Sequence, residues 1–253
     1  MKNILYLFVS SFLVLACKTS NQTSTPMPIE TPILKSKTIG GYFQAAGVNP
    51  VWSLEISEKE IQFQSGELEM NMPHVEPVRA MDANVKMYSV FVEKGEIKIS
   101  IYQKSCSLAN SSDDFSYEVK IVLKTNGDSK EYIGCGNYIA DYRLYDIWAL
   151  EEIAGKKVTV SDFTKEIPAI EINASTKTFS GYAGCNQING KLFQERELLR
   201  FTSIASTRMA CPAGNLEQAF LKALQSSTRY EIRDNRLFLS NPSGLKIVFR
   251  KVD

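Results

Sequence analysis

His74 is the sole histidine of this 253-residue chain, and it alternates with two methionines, so that Met70, Met72 and His74 would point to one side of an extended strand. Thioether and imidazole are soft ligands that suit Cu(I), which makes the trio a candidate metal site. Pro73 interrupts that strand, and a methionine near a turn more often packs on the edge of a core. A single imidazole leaves no His cluster for zinc and only one conceivable Ser-His-Asp arrangement. It lies in Met72-Pro-His-Val-Glu-Pro77, a Pro-bounded loop in which a histidine is ordinarily solvated. No Gly-x-Ser-x-Gly, His-Glu-x-x-His or phosphate-binding loop is present. Asp113-Asp114 and the pair Asp162 and Glu166 read as solvated loops rather than acid–base dyads. The chain therefore lacks an assembled catalytic set: no enzyme activity and no cofactor are expected. A copper-binding protein and an uncharacterised hydrolase with His74 as base are the two alternatives.

Cysteine is the other chemically distinctive residue, and Cys17 decides how the remaining four are read. Met1-Lys2 supplies a positive start, Ile4 to Ala16 an apolar stretch too short to span a bilayer, and Ala16 a small residue before the cysteine. Val14-Leu-Ala-Cys17 resembles a bacterial lipobox, which implies removal of residues 1–16 as a signal peptide and lipidation of Cys17. The expected location is the bacterial cell envelope, lipid-anchored. Lys18, in place of an inner-membrane retention aspartate, points to the outer membrane. In an oxidising compartment, Cys106, Cys135, Cys185 and Cys211 read first as disulfides, and none forms a Cys-x-x-Cys pair. Four cysteines allow three pairings. The domain division below favours Cys106 with Cys135 and Cys185 with Cys211, each closing a loop worth ~3 kcal/mol on the chain-entropy model.

Residues 17–36, rich in Ser, Thr, Asn and Pro, form a flexible tether with little to bury. The roughly 215 residues that follow suit two small domains better than one. A formal net charge of +1 gives no support for nucleic-acid binding. The expected partners are the membrane, through the N-terminal lipid, and an envelope protein or lipid ligand.

Residues 37–144 read as all-β. Trp52–Ile56 and Ile61–Gln64 alternate apolar with polar. Lys86–Val92 with Glu96–Tyr102, and Phe115–Leu123 with Lys130–Ile133, form two hairpins, the second turning at Asn126-Gly127-Asp128. Residues 145–253 add a helix. Asn215 and Gln218 have capping-box spacing, and Leu216, Phe220, Ala223 and Leu224 share one helical face. Ser226-Ser-Thr228 ends it, and strands Tyr230–Arg233, Arg236–Ser240 and Leu245–Arg250 follow. The expected fold is mainly β: two small antiparallel, barrel-like domains, the second carrying one packed helix.

Two resemblances attach to these segments. Gly47-Val-Asn-Pro-Val-Trp52, Cys106 and Gly134-Cys-Gly136 are similar to an uncharacterised envelope lipoprotein family with a Gly-Asn-Glu-Pro-Phe-Trp start and a Gly-Cys-Gly end, which brings no known activity. Trp148-Ala-Leu150, Ser180-Gly-Tyr-Ala-Gly-Cys-Asn186 and Thr207-Arg-Met-Ala-Cys211 resemble the META domain, the HslJ-like family, over Trp148 to Phe249. That resemblance implies a non-catalytic role in envelope integrity or stress tolerance, with the groove between the helix and the sheet as contact surface. Asn186, Thr207 and Met209 are candidate binding residues, although an Asn after a turn usually bonds backbone groups.

Overall fold

The computed structural model describes residues 40–80, 84–93, 95–109, 111 and 114–252. The segments expected to be a signal peptide and a tether, and Cys17 with them, lie outside the described residues. Two nine-stranded antiparallel sheets and, among the described residues, a single α-helix make up the fold.

The first sheet contains β1 (Gly41–Val48), β2 (Val51–Ser57), β3 (Glu60–Ser65), β4 (Leu68–Pro73), β5 (Val78–Arg79), β6 (Val85–Val92), β7 (Gly95–Tyr102), β8 (Tyr117–Thr125) and β9 (Asp128–Tyr138). Its order is β4-β3-β2-β1-β9-β8-β7-β6-β5, so two meanders meet where β1 pairs with β9. Alternation along β2, β3, β6, β7 and β8 sends one set of side chains into a shared core, including Trp52, Leu54, Phe63, Ile97, Ile99 and Ile121. Both expected hairpins form. Asn126 and Gly127 adopt the positive φ that a two-residue turn with the strands' twist demands. The sequence reading had no strand over Gly41–Val48, because Tyr42-Phe-Gln-Ala-Ala-Gly does not alternate. Its run of buried residues reflects a central strand at the meeting point of the meanders. β8 begins at Tyr117, and Phe115 instead makes a separate bridge to Cys106.

The packing around Trp52 explains why Gly47, Trp52 and Gly134-Cys-Gly136 occur together. Gly47 faces Trp52 across the β1–β2 pair, whose connecting Asn49–Pro50 peptide is cis. The indole is fully buried, and its N–H donates to the Ile133 carbonyl at 3.2 Å. A Cβ on Gly134 would stand 2.0 Å from the Ala46 carbonyl oxygen and 2.6 Å from the indole. Side chains are therefore excluded where β9 runs beside β1 under the indole. Cys135 lies between those glycines and is bonded to Cys106, with a Cα–Cα distance of 5.6 Å.

The second sheet contains β10 (Asp146–Ile153), β11 (Lys156–Lys157), β12 (Ala169–Asn173), β13 (Thr178–Tyr182), β14 (Gln187–Glu195), β15 (Leu198–Ser206), β16 (Arg229–Arg233), β17 (Arg236–Ser240) and β18 (Lys246–Lys251). Its order is β11-β10-β12-β13-β14-β15-β16-β17-β18, and an additional β10–β18 pairing curls the sheet onto itself. Helix α1 (Glu217–Ser226) sits between β15 and β16 in sequence. Phe220, Ala223 and Leu224 face the core beside Trp148, Leu237, Leu239 and Phe249. The face expected from the sequence is the one buried. Its start differs: Gln218 is exposed, and the Glu217 N–H donates to Asn215 Oδ1 at 2.7 Å, so no reciprocal capping box forms. Cys185 is bonded to Cys211, with Cα atoms 5.9 Å apart. Both pairings are those the domain division favoured.

Gly134→Ala should lower stability by ~1–3 kcal/mol, because the added methyl meets backbone rather than a movable side chain. Urea unfolding followed by tryptophan fluorescence checks this; Gly127→Ala, at an open turn, should leave the Trp52 environment unchanged.

Candidate functional site

Two groups of residues had chemical potential on sequence grounds, a third emerges only in the structure, and each has a different environment. Met70, Met72 and His74 do share one side of the chain, but that side is the core of the first sheet. Met72 is buried and Met70 is partly buried in the same cluster. His74 is half-buried rather than solvated, since the end of β4 brings it against two tyrosines. Its Nε2 lies 3.0 Å from the Tyr42 hydroxyl, and its ring meets Tyr42 and Tyr88 edge-on.

Asn186, Thr207 and Met209 are brought together, at a fastening rather than a cavity. Gly184 adopts φ 106° with its α-carbon against the Phe163 ring, where a Cβ would stand 2.2 Å from the ring, and this turn places Asn186 in the interior. Asn186 Oδ1 accepts from the Thr207 hydroxyl at 2.9 Å and from the Met209 backbone N–H at 2.7 Å. Its Nδ2 donates to Glu217 Oε1 at 2.8 Å, and its backbone N–H to Glu217 Oε2 at 2.6 Å. The amide is thus saturated by the segment ending in Cys211 and by the first residue of α1. Glu217 was not identified from the sequence. It resembles an ordinary first-turn acid, and only the fold turns its carboxylate inward. Cys185, Cys211 and Glu217 place their ligand atoms within 4.8 Å of one another, but the two sulfurs are bonded to each other.

The third group was not recognised from the sequence at all. The hairpin joining β14 to β15 carries Glu195-Arg196-Glu197, with Arg196 at φ 49° in the turn, and its tip enters the mouth of the first sheet. Glu195 is 4% exposed and Lys86 is 9% exposed. The Lys86 ammonium donates to Glu195 Oε2 and, at 2.9 Å, to the Tyr138 hydroxyl. The Tyr117 hydroxyl donates to Glu195 Oε1 at 2.6 Å. Burial pulls the Lys86 ammonium below its ordinary pKa, and Glu195 opposes that shift. Burial, reinforced by Glu195, raises the Tyr117 phenol well above its usual range, so it remains a donor. Around the tip, Arg196 forks between Glu58, at 2.5 and 2.8 Å, and Glu76, at 3.0 and 3.1 Å, with its guanidinium 5.1 Å from the Tyr42 ring centroid. Arg79 and Glu197 add a looser pair at 3.8 Å.

A cleft of about 480 Å³ opens beside this contact, lined by Arg79, Asn84, Lys86, Gln103, Glu195 and Arg200 among others. The groove expected between α1 and its sheet is filled by Phe220 and Leu224, both fully buried. The cleft beside the contact and a second of about 380 Å³ lie along the junction of the two sheets.

Removing either member of the buried pair alone leaves an uncompensated charge. Lys86→Met and Glu195→Gln should each cost ~3–5 kcal/mol, and the double variant much less than their sum. Chemical denaturation of the four proteins measures that coupling. The surface clasp adds a pH dependence. The hydrogen bond from Arg196 holds the Glu76 carboxyl below its ordinary 4.5. Its stabilising contribution is therefore present above pH 4.5 and is lost as the pH falls through the lowered value. The stability difference between wild type and Arg196→Met, followed by urea midpoint, should shrink on that acid side and stay constant above it.

No curated protein matches this chain. Solved structures with some likeness include an NMR structure of a protein from Burkholderia xenovorans, 22% identical, covering 51% of this chain and 99% of that one, with TM-score 0.37. Another is the crystal structure of a DUF4847 family protein from Bacteroides vulgatus ATCC 8482, 18% identical, covering 44% of this chain and 96% of that one, with TM-score 0.31. The family comparison is specific to the second sheet: residues 143–253 match the META domain family model.

Proposed function

We propose that this protein is a lipid-anchored, non-catalytic lipoprotein of the bacterial cell envelope, which binds or supports envelope components and contributes to envelope integrity or stress tolerance. The observation that carries the reading is the junction of a small-residue-Cys leader and polar tether with a META-like domain matched over residues 143–253. A leader, a tether and a compact β module are the parts of a binding protein recruited to a membrane surface. The similarity of the Gly47…Gly136 pattern to an envelope lipoprotein family supports the same location.

The polar chemistry favours binding over turnover. Lys86, Glu195, Asn186 and Glu217, the buried amide and charged groups described above, each bond an internal partner. His74, the one imidazole on which a hydrolase would rely, bonds the Tyr42 hydroxyl, and Met72 packs in the core. The outer membrane is the proposed site of anchoring, from Lys18 after the lipid-bearing cysteine.

Two preparations test the reading. In cells given a labelled fatty acid, wild-type protein should incorporate label and fractionate with membranes. Cys17→Ala should incorporate none and be recovered either unprocessed or released. Equal labelling and fractionation of the two would overturn the lipid anchor. A substrate turned over by wild type and not by His74→Ala would overturn the non-catalytic assignment.

A further inference from the structure

The contact at Lys86 is built as a receptor rather than as an ordinary interface ion pair. Its two donors to the carboxylate come from the first sheet alone, Lys86 on β6 and Tyr117 on β8, and Tyr138 on β9 accepts from the ammonium at 2.9 Å, with its ring centroid 4.7 Å from Nζ. Tyr117 and Tyr138 are themselves packed edge-on, with ring centroids 5.1 Å apart, and Tyr138 also packs edge-on against Phe43 at 5.0 Å. Lys86, Tyr117 and Tyr138 all sit on strands whose inward residues share the core of the first sheet. The second sheet supplies one acceptor, the Glu195 carboxylate, at the end of a hairpin. One oxygen takes the ammonium and the other takes a phenol, which is the recognition pattern for a carboxylate in a desolvated pocket.

The surroundings also provide a route to that pocket. The cleft of about 480 Å³ reaches Lys86 and Glu195 from solvent, with Arg79 and Arg200 among its lining residues. An anion approaching through it meets cationic side chains before the buried ammonium.

We propose that the mouth of the first sheet is a carboxylate-binding site, that Glu195 of this same chain is its resident occupant, and that a carboxylate on a separate molecule takes the same place when Glu195 is withdrawn. The ligand class is a small carboxylate or the acidic side chain of a peptide, entering through the cleft. The inference uses folded residues only and is independent of the lipid anchor, so the Cys17→Ala experiment does not bear on it.

Glu195→Ala tests it in the full chain, because the substitution removes the carboxylate and the methylene before it, a volume that acetate replaces. The variant should melt below wild type. Sodium acetate should raise its Tm saturably, by roughly 3 °C more than sodium chloride at the same ionic strength. Wild type, whose site is filled, and Lys86→Met/Glu195→Ala, which lacks the ammonium, should show no difference between the two salts. Equal responses to acetate and chloride would mean screening alone and would overturn the proposal. So would an acetate-specific response that persists in the double variant or is as large in wild type. If Glu195→Ala is not recovered folded, refolding yield in acetate against chloride gives the same readout: a higher yield in acetate supports the site, and equal yields overturn it.

Discussion

Taking an ammonium and a carboxylate out of water costs several kcal/mol per ion, and the cost is offset only where geometry and additional hydrogen bonds are good. The junction of the two sheets is organised around that demand. Lys86 and Glu195 reach each other from residues 109 positions apart. Tyr117 and Tyr138 complete their hydrogen bonding, and Arg196 with Glu58 and Glu76 closes the rim where water would otherwise enter. A purely apolar junction would hold over a range of tilts. A buried charge with two phenolic neighbours is satisfied only in one register, so this pair sets where the hairpin tip can sit.

The rest of the structure provides rigid supports for that tip. In the first sheet, β6, β8 and β9 hold the donors at a fixed separation because their inward residues are locked in one core. The pairing of β9 with β1, with Trp52 over Gly134 and the Cys106–Cys135 bond beside it, fixes the position of the strand that carries Tyr138. In the second sheet, Tyr230 accepts a hydrogen bond from Gln194 at 3.2 Å and donates to Asp141 at 3.0 Å, anchoring the tip end of the hairpin, one residue before Glu195, to the segment that joins the two sheets. Asn186 and Glu217 perform the equivalent task at the other end of β14, tying the start of that strand to α1 and to the Cys211 segment. Strand β14 is thus fastened at both ends, at Asn186 before its start and at Gln194 beside the tip.

This distribution of polar groups bears on how the molecule works. Residues that a reader of the sequence would assign to chemistry, His74 with its methionines and the Gly-Cys-Asn segment, lie in or against the cores and stabilise them. The polar cavity space lies between the sheets, where neither half alone builds a complete lining. A ligand there would contact both halves, and whatever alters the seating of the Glu195 tip would alter that space as well.

The division into two halves favoured the cysteine pairing. Periodicity and turn chemistry determined the mainly β architecture, about half of the strand positions and the buried face of α1. These are local properties: alternation selects a face, Asn126-Gly127 and Asp234-Asn235 tolerate the positive φ of tight turns, and the spacing Leu216, Phe220, Ala223 and Leu224 can be satisfied only by a helix on a core. Strand β1 was not legible, because a central strand enclosed on both faces loses its alternation. Glu195, Lys86 and Glu217 were illegible for a different reason. On sequence Glu195 and Glu217 are unremarkable charged residues with nothing within several residues to mark them for burial. Lys86 shares the inward phase of β6 with Tyr88 and Val90, but nothing local supplies its counter-charge. Only the meeting of two sheets supplies its partner, and the cost of burying a charge can be met only there.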